Sequence, residues 1–264
     1  MLKKLTLLAS LSFLAACSTV PITGRRQLSL VSDAEINTLA ATQYREVIAK
    51  GPLSTNSQQV TMVRNVGRRI QAAVETYFRQ QNASDQLAGY QWEFNVIQDD
   101  QQQNAWCMPG GKVAVYTGIL PITQDETGLA VVMAHEVAHA VAKHGSERMS
   151  QGLVQQLGGQ ALSAALSTNA PATQELALQA FGVGSQLGLL KYGRNQESEA
   201  DHLGLIFMAL AGYNPDGAIS FWQRMEAKGG AAPPEFLSTH PSSGTRIADI
   251  QRELPEARKY YKPR

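Results

Sequence analysis

From Ser32 onward apolar residues recur at helical spacing in long blocks, and they alternate with polar ones in one short stretch only. Ser32-Asp-Ala-Glu35 is a capping box that predicts a helix to about Lys50, stopped by Gly51-Pro52. Val60, Val63, Val66, Ile70, Val74 and Tyr77 then mark one face of an amphipathic helix over 58–81. Tyr90 to Ile97 alternates and reads as a half-covered strand, and Lys112 to Tyr116 as a shorter, more apolar one. The Pro109-Gly-Gly111 between them demands a turn, so the pair predicts a small sheet, either a structural hairpin or an edge able to hold a peptide by strand addition.

Thr123-Gln-Asp-Glu126 is a second capping box, opening a helix to about His144 that is apolar on every side and therefore buried. The small-residue segment 151–192, broken at Thr168 to Pro171, predicts two closely packed helices. Helices over 197–210 and 216–228, a loop over 229–234 and a final helix carrying Ile247, Ile250 and Leu254 complete the pattern. The fold class is α+β, mainly helical, with a small β-sheet beside the most apolar helix, and no linker divides the chain.

That apolar helix contains His135-Glu-Val-Ala-His139. Histidines at i and i+4 share one helical face, so both imidazoles reach one metal ion. Glu136, about 100° around the helix from His135, is placed to act as the general base rather than to ligate. A catalytic zinc needs three protein ligands and an open position. Of the 5 histidines, His144 lies five residues past His139 on the expected helix, turned away, and reads as a hydrogen-bonding residue at the helix end. Better candidates lie in Glu197-Ser-Glu-Ala-Asp201, where Glu197 and Asp201 share a face and Glu199 points nearly opposite. Glu197 is assigned to the metal, with Glu199 the alternative ligand, and Asp201 to orienting a ligating imidazole, with His202 off that face.

Composition adds exclusions. A formal charge of +1 and 17% charged residues give no basic field for nucleic acid. The first residues offer two lysines, a short apolar stretch and small residues before Cys17, the pattern of a signal peptide over 1–16. Leu14-Ala-Ala-Cys17 resembles a bacterial lipobox. The expectation is therefore a lipidated Cys17, a tether over 17–31, a membrane contact through the lipid anchor, and, from Ser18, a location at the cell outer membrane facing the periplasm. Cys107 then has no partner for a disulfide and reads as a buried hydrophobe.

His135-Glu-Val-Ala-His139, followed by Glu197-Ser-Glu-Ala-Asp201 and Thr239-His-Pro, is similar to the HtpX and BepA type of zinc metallopeptidases, peptidase family forty-eight of the metallo class. Asn104-Ala, Pro109-Gly-Gly111 and Gly118-Ile-Leu120 resemble that family's strand ahead of the metal helix. The resemblance implies a zincin-like, gluzincin-type metalloprotease domain over 32–264 that binds one Zn2+ through His135, His139 and Glu197. It also draws His240 and Arg246 to the site, His240 either as a closing ligand or as a catalytic donor to the oxyanion. The implied activity is hydrolysis of peptide bonds in unfolded or misassembled envelope proteins, as protein quality control. The alternative is a chaperone-like outer-membrane assembly factor with little proteolysis. No oligomeric state is assigned.

Overall fold

The computed structural model describes residues 17–20, 23–157, 193–228, 235–240 and 244–263. The expected signal peptide over 1–16 and most of the expected helix pair over 151–192 lie outside the described residues. Two short strands, β1 (Cys17–Thr19) and β2 (Arg26–Leu28), pair antiparallel and lead into α1 (Asp33–Lys50) and α2 (Ser57–Gln80). Both halves of the Ser32/Glu35 capping box form, and Gly51 closes α1. α2 starts on Asn56, whose side chain accepts from the Gln58 and Gln59 amides.

The sheet contains β3 (Glu93–Ile97), β4 (Ala105–Met108) and β5 (Lys112–Tyr116) in the order β3-β5-β4. The two expected strands do not form a hairpin: β3 runs parallel to β5, and the antiparallel partner of β5 is β4. All four residues of β4 are buried, so its sequence lacks the polar–apolar alternation that marks a half-covered strand. The turn from β4 into β5 uses Gly110 and Gly111, each at φ 79°, a conformation costly for residues with a Cβ.

α3 (Glu126–Val141) is the central helix, and every residue from Gly128 to Val141 is buried. Its cap is Asp125, whose side chain accepts from the Gly128 amide, and not Thr123, whose hydroxyl bonds to the Leu120 carbonyl instead. The helix also ends before His144. Lys143 takes a left-handed φ of 60° and reaches Asp33 Oδ2 at 2.6 Å, and a new helix, α4 (His144–Leu157), begins at the histidine. α5 (Arg194–Leu210) packs along α3. They pack tightly at Gly204, where a Cβ would lie 3.1 Å from the His135 nitrogen. α6 (Gly217–Ala227), the short α7 (Glu235–Thr239) and α8 (Arg246–Ala257) follow.

Part of the segment expected to be a tether packs onto the body. Val20, Gln27 and Val31 are buried, and the Leu30 amide donates to Ser150 Oγ of α4 at 3.0 Å. Apolar side chains and a paired Arg25 give these residues interactions that a solvated linker lacks.

Candidate metal centre

α3 contributes His135, Glu136 and His139, α5 contributes Glu197, and the residue following α7 contributes His240. One ligand atom each from His135, His139, Glu197 and His240 lies within 4.8 Å of all the others, and all four residues are buried. His139 Nε2 is 3.0 Å from His135 Nε2 and 3.3 Å from Glu197 Oε1. His240 Nδ1 is 2.9 Å from Glu197 Oε1 and 3.3 Å from His135 Nε2. A tetrahedron with zinc–ligand arms of about 2.1 Å has edges of about 3.4 Å, so this donor set has the size that zinc requires.

The surrounding groups orient the ligands. Asp201 Oδ1 lies 3.0 Å from His135 Nδ1; a carboxylate there accepts the Nδ1 proton and leaves the Nε2 lone pair facing the donor set. Arg246 donates to Asp201 Oδ1 at 2.7 Å and to Glu197 Oε2 at 3.1 Å, and its guanidinium lies 3.5 Å over the Trp222 ring. His139 Nδ1 is 2.8 Å from His144 Nδ1, and His144 Nε2 is 2.8 Å from Glu199 Oε2.

Electrostatics matches this arrangement. Burial holds His139 well below its ordinary value, so its imidazole is neutral and able to ligate. Burial alone would lift the Glu197 carboxyl, but His240 and His139 beside it hold it well below the usual carboxylate range. Burial, with the like charge of Glu197, pushes Glu136 up to about 8 against the pull of His135.

The structure thus brings His135, Glu136, His139, Glu197, Asp201, His240 and Arg246 to one place. His202 stays outside it, paired with Glu253 at 2.7 Å. Cys107 is buried within β4, and burial keeps its thiol well above the ordinary range. The sequence reading missed His144 as a neighbour of a ligand, and with it Glu199. The helix is interrupted at Lys143, so the angular spacing of one continuous helix does not apply.

The sequence pattern of peptidase family M48 matches residues 65–254, which includes the whole donor set. The chain belongs to this family. It is thereby placed among the zinc metallopeptidases, and its zincin-like fold follows. Relatives include the mitochondrial metalloendopeptidase OMA1 of Schizosaccharomyces pombe, 36% identical over 90% of this chain and 66% of that protein. The OMA1 protein of Saccharomyces cerevisiae is 37% identical over 66% of this chain and 50% of its own length. The beta-barrel assembly-enhancing protease of Escherichia coli is 24% identical over 94% of this chain and 49% of its own length. The chain therefore spans about half to two thirds of the length of these relatives.

These likenesses correct the expected location. The relatives of higher identity are mitochondrial by name, which points away from the cell outer membrane and a periplasm-facing position. The physical reason is that the expected location rested on Ser18, and a single residue is too little to encode a destination. The likeness to OMA1 also outweighs the HtpX and BepA subtype read from the motifs.

Proposed function

We propose that this chain is a zinc-dependent endopeptidase acting on misfolded or misassembled proteins, and that His240 holds it shut at rest. The observation that carries the reading is the convergence of the His135, His139 and Glu197 donor atoms with the Glu136 carboxyl beside them. A zinc ion held by those three residues supplies Lewis acidity, lowering the pKa of a water and polarising the scissile carbonyl. Glu136 would accept the proton of the attacking water and deliver it to the leaving amine. Asp201 and Arg246 hold His135 and Glu197 in register during this exchange.

A catalytic zinc site keeps one position open, and His240 is placed where it would occupy that position. Its Nε2 also lies 3.4 Å from Glu136 Oε1, between the base and the ligands. Phe236 stacks on the His240 ring at 4.5 Å, and the Phe236 amide donates to the carbonyl of Gln103, just ahead of β4. One short segment therefore covers both the metal position and the approach to the sheet edge. An edge strand reads backbone rather than side chains, which suits unfolded polypeptide as substrate.

The partners that accompany this reading are unfolded or misassembled proteins and a membrane surface reached through a lipid on Cys17. Among the described residues no helix is long and apolar enough to cross a membrane. The test is cleavage of casein by the full chain, before and after removal of metal with 1,10-phenanthroline. Loss of cleavage on chelation and its return with stoichiometric zinc are expected; cleavage that survives chelation contradicts the proposal.

A further inference from the structure

The ligand His139 leads outward through His144 and Glu199 to the segment ahead of α1. Glu199 Oε2 accepts from Arg25 Nε at 2.7 Å, and Glu199 Oε1 accepts from the Thr23 hydroxyl. Arg25 Nη2 also lies 2.9 Å from Glu147 Oε2 on α4, and Gln196 Nε2 donates to the same Glu147 oxygen at 2.7 Å. Glu147 and Glu199 are both buried, so the single guanidinium of Arg25 balances two carboxylates that come from different helices.

The direction of the protons along this chain follows from the donor inventory. Arg25 and Thr23 both donate to Glu199, so the carboxylate also serves as acceptor for His144 Nε2–H. A neutral His144 protonated on Nε2 presents a lone pair at Nδ1, 2.8 Å from His139 Nδ1. His139 must then carry its proton on Nδ1, which leaves Nε2 free as the metal ligand. Asp201 sets His135 in the same sense from the other side. The two ligating histidines are thus fixed by different parts of the chain, and for His139 the relay ends outside the helices.

We propose that Arg25 and Thr23 are positioning residues for the metal centre, acting through Glu199 and His144 on His139, so that seating of the N-terminal segment sets how tightly the metal is held. The inference rests on the metal reading above. Without Arg25 two buried carboxylates lose their shared cation, and Glu199 loses the contact that keeps it on His144.

The test is zinc affinity of the full chain by competition with a chromophoric chelator, together with the visible spectrum of the cobalt(II) form. The variants are Arg25→Ala, Arg25→Lys, Glu199→Gln and, as a control, His135→Ala. Glu199→Gln should weaken zinc about 10- to 100-fold and shift the cobalt bands, because the amide can donate to His144 and reverse the relay. Arg25→Ala should weaken zinc about tenfold, with partial recovery in Arg25→Lys. Arg25 is partly exposed on a segment outside the helical core, and far-UV circular dichroism of each metal-free variant establishes that it is folded before its zinc affinity is compared. Zinc affinity and cobalt bands unchanged in Arg25→Ala and Glu199→Gln, with binding lost in His135→Ala, overturn the inference and leave the metal site standing. The same holds if the metal-free variants only melt earlier. Failure of the wild-type chain to bind zinc overturns both.

Discussion

His240 Nδ1 lies 2.9 Å from Glu197 Oε1 while its Nε2 lies 3.4 Å from Glu136 Oε1, so one ring spans a metal ligand and the general base. The arrangement adds a fourth possible donor to the three expected ligands, and the proposed resting closure would rest on that one side chain. His240→Ala should therefore retain one zinc, hold it less tightly, and cleave casein about tenfold faster or more, as expected if the open form is 10% or less of the resting population. Side-by-side progress curves check this; a slower variant would assign His240 to transition-state support instead.

The fit between α3 and α5 depends on the absence of one side chain. A Cβ on residue 204 would sit 3.1 Å from the His135 nitrogen and 3.2 Å from its Cα, and backbone atoms cannot step aside as a flexible side chain does. Gly204→Ala should cost about 1–3 kcal/mol and weaken zinc binding, because Glu197 and Asp201 ride on the displaced helix. Calorimetry of the metal-free and zinc-loaded forms measures both effects.

Burial raises Glu136 to about 8 in the folded chain, above its value of 4.5 when unfolded. The folded state then binds more protons between those values, so this group lowers the stability of the metal-free protein progressively as pH rises from 4.5 to about 8. Glu136→Gln removes that slope. Thermal melts of both metal-free proteins across this range should diverge with rising pH, the variant becoming the more stable.

Cys107 is 4% exposed and its thiol is held well above the ordinary range by burial. In a Cys17→Ser background the folded protein should resist thiol reagents at pH 8 and react only after denaturation. Rapid labelling of the native chain would contradict the buried placement.

Much of the centre was readable because its ligands sit where local sequence dictates geometry. His135 and His139 share a face by helical spacing alone, and Glu197 with Asp201 does the same four residues apart. α1 was equally plain, since Ser32 and Glu35 each bond to the other's end of the first turn. The cap of α3 was displaced because Thr123 and Asp125 are both competent residues and only the three-dimensional turn chooses Asp125. β4 was hidden because burial on both faces erases alternation. His144, Glu199 and Arg25 were hidden for a different reason. One left-handed residue, Lys143, redirects the chain, and the partners that then meet are far apart in sequence.

The most direct measurement is casein cleavage by Glu136→Gln beside wild type, with zinc content determined on the same samples. Both proteins should carry one zinc per chain, and the variant should be slower by about 10²- to 10⁴-fold, the contribution of a positioned general base. Equal rates in the two zinc-loaded proteins would contradict Glu136 as the base and, with it, the assignment of this site to peptide hydrolysis.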